Sequence, residues 1–235
     1  IGKIGILICM DIHFIETARL VALQDADIII HISNWLSERT PAPYWISRAF
    51  ENSCYLIESN RWGLERTVQF SGGSCIINPD GSIASVIDKG DGIAYAKIDL
   101  SWPRKKEVLD EKIFNDRRPE MYLNLPTDPY LWNPLDFFGL YGLDPLPRGK
   151  QSLISVVQMS STNDVKKNLN KIFSHLDNAK NNLSELVVFP ELSLTGHLNK
   201  NKSALNSDSA EILELAEYAN KNDIYICCGF AEKNK

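Results

Sequence analysis

The chain has 235 residues, with 25 Lys and Arg against 30 Asp and Glu for a net charge of -5, and 44% of its residues are hydrophobic. That length buries a substantial core, as one large α/β domain or two smaller units, and the mild, dispersed acidity supplies no phosphate-binding field, so nucleic acid is not an expected partner. No apolar run approaches the roughly 20 residues that span a bilayer; no membrane partner is expected, and a cytoplasmic location is. The five cysteines lack CxxC or CxxH spacing and fit reduced thiols better than a disulfide frame or a zinc site. The chain opens without a methionine, directly in a strand approach, and is read as a fragment or processed piece.

In chain order, the run from Ile4 to Cys9 is apolar, as are "DADIIIHIS" from Asp25, "NSCYLIES" from Asn52 and "GSCIINP" from Gly73; each predicts a largely buried strand. Between the first two, Phe14, Ala18, Val21 and Ala22 sit at helical spacing. "PAPYWISRAFEN" predicts a second helix, with prolines at its start and Trp45, Ala49 and Phe50 on one side. "NPDGS" marks a turn, and "IASVID" and "IAYAKIDL" alternate as hairpin strands do. From about Asn115 to Lys150 six prolines and several aromatics show no lasting periodicity; this reads as a linker whose aromatics dock in part on a surface.

A new strand, "SLISVVQM", then begins, followed by a helix in which Val165, Leu169, Ile172, Phe173, Leu176 and Ala179 form one apolar face, capped by Thr162 or Asn163. The strand "ELVVFPE", a helix over about 208–220 and the strand "DIYICCGF" complete the pattern. Strands alternating with helices imply sheets covered by helices, an α/β class.

Two reactive side chains stand just beyond apolar strands, where α/β folds build sites: Cys9, in "IGILICMDIHF", and Glu191, in "VVFPELSLTG". A lone cysteine is more often a buried inert thiol; Cys54, Cys75, Cys227 and Cys228, inside strands without a nearby base, keep that reading. A thiol becomes a nucleophile when a base takes its proton or its surroundings favour the thiolate, and a carboxylate at the mouth of a sheet serves as such a base. His13 offers a Cys-His dyad on paper, but it lies four residues on, at a helix start. Arg48, Glu51 and Asn52 read as a structural polar network.

The segment "GKIGILICMDIHFIETARLVALQDADIIIHISNW", followed in order by "ISRAFENSCYLIESNRWG", "FSGGSCIINPDGSIAS" and "NDRRPEMY", resembles the nucleophile half of the nitrilase superfamily of carbon-nitrogen hydrolases. "SLISVVQMSSTNDVKKNLNKIFSHLDNAKNNLSELVVFPELSLTGH" is similar to the amino-terminal part of the same family. The resemblance implies a four-layer αββα sandwich in incomplete halves. Residues 1–122 would be the carboxy-terminal half of one domain, 123–150 a Pro-rich linker and 151–235 the amino-terminal half of another. Because the halves stand in inverted order, the chain is either a piece of a tandem protein or a circular permutant.

By the same resemblance Cys9 is the nucleophile, the backbone N–H of Met10 one oxyanion donor, Glu191 the general base, and Asn34 and Trp35 line the pocket. No metal or organic cofactor is implied, and the family's catalytic lysine matches no lysine of this chain. If the halves belong to two tandem domains, Cys9 and Glu191 serve different sites. The family's nucleophile segment often continues Phe-Pro-Glu where this chain has Phe14-Ile15-Glu16, and Cys-Met-Asp looks closer to the amidase-like branches than to true nitrilases. The implied activity is hydrolysis of small amides or carbamoyl compounds by a homo-oligomer. A non-catalytic or fragmentary member, nitrile hydrolysis, and acyl transfer on the same scaffold are the alternatives.

Overall fold

A computed structural model describes residues 2–36, 40–123, 149, 151–197 and 203–233. The chain divides into two compact units, Ile1–Trp132 and Asn133–Lys235. The division falls inside the expected 123–150 linker, which apart from positions 123 and 149 lies outside the described residues.

The first unit is built on β1 (Ile4–Ile8), α1 (Ile15–Leu23), β2 (Ile28–Ser33), α2 (Pro43–Asn52) and β3 (Tyr55–Asn60). β1 pairs with β2 and β2 with β3, all parallel. After a hairpin of β4 (Trp62–Glu65) and β5 (Val68–Ser71), strands β6 (Ser74–Ile77) and β7 (Ile83–Ile87) extend the sheet antiparallel, in the order β1-β2-β3-β6-β7.

Side-chain alternation fixes which sheet face meets the helices. Gly5 and Leu7 are buried, and a Cβ on Gly5 would lie 2.7 Å from the Cβ of Val21, so glycine is what lets α1 approach β1. Ala18 and Ala22 give α1 the small surface that contact needs. In α2, Trp45, Arg48, Ala49 and Asn52 share one buried face at i, i+3, i+4 and i+7. Pro43 stands in the first turn, where its missing N–H costs nothing, and Ser53 closes the helix at φ +46°. The opposite sheet face is a ladder of isoleucines. Ile6 and Ile8 are 62% and 58% exposed, and Ile6 and Ile8 align with Ile30 and Ile32 of β2 and onward with Ile57 and Ser59 of β3.

The second unit repeats this plan with three parallel strands in the order β10-β9-β8: β8 (Ile154–Val156), β9 (Leu186–Val188) and β10 (Tyr225–Cys227). Counting the short helix Ser101–Arg104 as α3, its helices are α4 (Val165–Asn181) and α5 (Ala210–Asn222). Leu169, Ile172, Leu176 and Ala179 of α4 pack with Val187, Leu215 and Ile224. Ile154, Val156 and Tyr225 remain exposed on the other face. In each unit, then, helices cover one face of a sheet, and among the described residues the other face carries exposed apolar side chains.

Two expectations change, and one element goes unanticipated. "IAYAKIDL" alternates but forms no strand among the described residues, where the sheet ends at β7. The β4–β5 hairpin falls where Trp62, Leu64, Val68 and Phe70 are interrupted by charged and polar residues, so the apolar-run criterion passes over it. The cap of α4 is Asp164, whose Oδ1 accepts the Lys167 N–H at 3.1 Å; Thr162 instead packs against Asn168. That asparagine is fully buried, accepts from the Thr162 N–H at 2.8 Å and donates to the carbonyls of Thr162 and Leu194 at 2.7 and 2.9 Å. Replacing Asn168 by alanine strips partners from three main-chain groups and is expected to cost about 2–4 kcal/mol, read as a lower urea midpoint for unfolding of the second unit.

Candidate active site

Cys9 is the first residue after β1 and opens a 3-10 turn, Cys9–His13. Its φ of +49° is left-handed, a conformation that costs a non-glycine residue about 1–2 kcal/mol and persists only where the surroundings over-determine it. Four side chains do so here. The Asp11 carboxylate accepts the Ile8 N–H at 2.9 Å, and the Thr17 hydroxyl stands 2.6 Å from the Asp11 carbonyl. Arg48 donates to the carbonyls of Ile12 and His13 at 3.1 and 3.2 Å, while Ile12 itself is fully buried. The fourth is His31, whose Nε2 lies 2.9 Å from the Cys9 carbonyl oxygen.

His31 is in the middle of β2, and its register partner in β3 is Glu58. The two side chains are inaccessible to solvent, and Nδ1 of His31 pairs with Oε2 of Glu58. The network continues through Ser33 to both Glu58 and Asn60. Asn60 accepts the Trp35 N–H at 2.8 Å and donates to the Gly72 carbonyl at 2.6 Å. A buried polar chain thus joins the Cys9 turn to the loop ends of β2 and β3.

Of the residues expected from sequence, Cys9 is half-buried against the core, Met10 has an exposed side chain, and its N–H, in the first turn, has no intrahelical acceptor. Asn34 is exposed beside Trp35, which is buried in the core cluster. His13 lays its ring against Tyr44 and Trp35, at centroid distances of 4.7 and 5.0 Å. Arg48, Glu51 and Asn52 do form a polar network: Arg48 pairs with Glu51 at 2.9 Å and Asn52 donates to the Arg48 carbonyl at 2.9 Å.

Glu191 belongs to the other unit. It is exposed just past β9, followed by Leu192 at φ +50°, and Gly229 sits so close that a Cβ there would be 3.3 Å from the Glu191 Cα. Sequence reasoning did not find His31 and Glu58. The signal was a histidine and a glutamate each inside an apolar strand, but only the register of β2 on β3 makes them a pair. Among the described residues no cluster of three or more His, Cys, Asp or Glu side chains is arranged to hold a metal ion, and no helix is long and apolar enough to cross a membrane.

A cysteine at a sharp turn off a parallel strand, in a unit where helices cover one face of a sheet, is an arrangement of the α/β class, in which sites form at strand ends. The chain belongs to the carbon-nitrogen hydrolase family, whose model matches residues 1–104 and 153–235. It is similar to the nitrilase of Pyrococcus abyssi (strain GE5 / Orsay), 38% identical over 122 residues, covering 51% of this chain and 46% of that protein. The deaminated glutathione amidase of Homo sapiens is 31% identical over 128 residues, covering 53% and 39%. The 2-oxoglutaramate amidase of Bacillus subtilis (strain 168) is 32% identical over 121 residues, covering 49% and 45%. The chain therefore spans less than half the length of these relatives.

Burial holds three of the other thiols in the neutral form. Burial, and then the Glu58 carboxylate, push the Cys75 thiol up to about 12, and burial raises Cys54 and Cys228 as well. At pH 8 a thiol titrating near 12 is thiolate in only about one molecule in ten thousand. Iodoacetamide at that pH is expected to alkylate Cys9 and the exposed Cys227 of the native chain, leaving Cys54 and Cys75 unmodified until it unfolds, as peptide mass spectrometry would show.

Proposed function

We propose that the intact protein hydrolyses the carbon–nitrogen bond of small amides or carbamoyl compounds through Cys9. The observation that carries this reading is the left-handed Cys9 at the end of β1, half-exposed and clamped from four sides, in a chain of the carbon-nitrogen hydrolase family. The Cys9 thiolate attacks the carbonyl carbon and forms a C–S bond. The tetrahedral oxygen takes up negative charge and is met by the Met10 N–H. The C–N bond then breaks, nitrogen leaves with a proton as ammonia or an amine, and water cleaves the thioester to return the thiol and release the acid.

Glu191 is assigned the part of general base by its place in "PELSLTG", with Asn34 and Trp35 at the substrate. Amides are preferred over nitriles on the Cys-Met-Asp sequence and on two amidase-named relatives. On the reading of the halves as parts of two tandem domains, Cys9 and Glu191 complete two different sites, and the family's lysine has no counterpart by motif among the lysines of this chain.

The test is ammonia release from a panel of amides and nitriles. Cys9→Ala in the intact protein is expected to lower turnover at this site by more than about ten-thousand-fold; full activity without Cys9 would refute the assignment. The 235-residue chain by itself is expected to show no turnover, and measurable hydrolysis by it would contradict the division into two sites.

A further inference from the structure

The buried pair of His31 and Glu58 is idle in the chemistry described so far, yet it touches the reacting residue's own peptide. A carbonyl oxygen only accepts hydrogen bonds, so the Nε2 of His31, 2.9 Å from the Cys9 oxygen, must carry a proton. The Nδ1 faces a Glu58 oxygen, so a further proton lies between ring and carboxylate, whichever of the two holds it. No solvent reaches either group. Trp35 and Trp45 flank the ring at 6.2 and 6.3 Å, and Ser33 and Asn60 continue the network beyond Glu58.

The Cys9 carbonyl and the Met10 N–H are two ends of one peptide unit. In a trans peptide they point in opposite directions. A carbonyl aimed inward at His31 therefore aims the Met10 N–H away from the core, on the side where Met10 is exposed. A hydrogen bond accepted by the carbonyl also draws electron density from the nitrogen and makes that N–H a stronger donor, an effect that grows in low dielectric.

Resting on the reading of Cys9 as nucleophile, we propose that His31, held by Glu58, is a positioning residue that sets the direction and donor strength of the Met10 N–H, and so stabilises the oxyanion of the tetrahedral intermediate without touching substrate. Neither residue is part of the segment ends on which the catalytic assignment rests; they act through the main chain of the nucleophile turn.

The test compares the intact wild-type protein with His31→Gln and with the double replacement His31→Leu and Glu58→Leu, which removes both ionisable groups together and leaves no lone buried charge to unfold the sheet. In the double variant kcat for the amide is expected to fall about ten- to a hundred-fold with KM within about two-fold. Affinity for an aldehyde bearing the same acyl group, which adds to the thiol to form a tetrahedral oxyanion, should fall by the same factor. Alkylation of Cys9 by iodoacetamide, a displacement that builds no oxyanion, should stay within about two-fold of wild type. In His31→Gln the side-chain amide still donates to the Cys9 carbonyl, and part of kcat returns.

A readout independent of turnover is the amide proton resonance of Met10 in the 235-residue chain. It should move upfield in the double variant while that of Ile8, held by Asp11, stays in place. Alkylation slowing in step with kcat, or an unchanged aldehyde affinity and Met10 resonance, would overturn the proposal. A protein that keeps its turnover after Cys9→Ala, or after complete Cys9 alkylation, instead overturns the Cys9 reading itself, and the two failures are thereby told apart.

Discussion

Everything at the candidate site depends on holding one residue, Cys9, in a left-handed backbone conformation where β1 ends. The strain is on the order of 1–2 kcal/mol. Against it stand hydrogen bonds from Asp11, Arg48 and His31, each worth about 0.5–1.5 kcal/mol net and more where a charged group takes part. The clamps outweigh the strain. They also come from elements that the sheet itself must place: His31 from β2, Arg48 from α2, and Asp11 from the turn. The turn is therefore a product of the whole β1–α1–β2–α2–β3 unit: of the four clamping side chains only Asp11 lies in the turn itself, Thr17 coming from α1.

The same unit explains why an ionisable pair is tolerated in the middle of an isoleucine-rich sheet. Isolated, either buried group would cost several kcal/mol; paired, with Ser33 on the second Glu58 oxygen and the Cys9 carbonyl on the second imidazole nitrogen, the polar atoms of the pair have partners. The pair lies on the helix-facing side of the sheet, in a cross-strand row with Leu7 and Cys75. The other side is entirely different in character, its exposed rows made of Ile6, Ile8 and Ile32. One sheet thus carries a polar network toward its helices and an apolar face away from them, and a one-residue slip of β2 would exchange the two.

How much of this was legible beforehand follows the range of each interaction. The parallel strands and their helices show in apolar runs and 3.6-residue spacing, which are local properties, and Cys9 and Glu191 stand out because a short sequence carries each. The β4–β5 hairpin was lost because Trp62–Glu65 and Val68–Ser71 lie on the surface with little to bury. "IAYAKIDL" alternates without forming a ladder because alternation needs a partner strand. The cap of α4 moved to Asp164 because Thr162 is engaged by Asn168, a contact no spacing reveals. His31 with Glu58 is the largest omission. It requires the register between two strands 27 residues apart, and a lone histidine in an apolar run reads as core.

The two units solve one problem in two ways. Each places a reactive side chain directly past a parallel strand and follows or forms it with a left-handed residue, Cys9 itself in one and Leu192 after Glu191 in the other. The Cys9 turn is clamped by three ionisable elements, Asp11, Arg48 and the His31–Glu58 pair, with one neutral hydroxyl, Thr17, beside them. The Glu191 turn is held by neutral ones. Leu194 donates to the Gly229 carbonyl at 3.2 Å, Asn168 binds the Leu194 carbonyl, and the Thr195 hydroxyl accepts from the Ala231 N–H at 2.9 Å. Among the described residues no ion pair includes Glu191. The difference matches the tasks proposed for them. Around a nucleophile, fixed charges can polarise the peptide that will meet an oxyanion, whereas a carboxylate meant to take and return a proton is best positioned through its backbone, since a cation locked on its oxygens would bind the charged form too firmly to let the proton back.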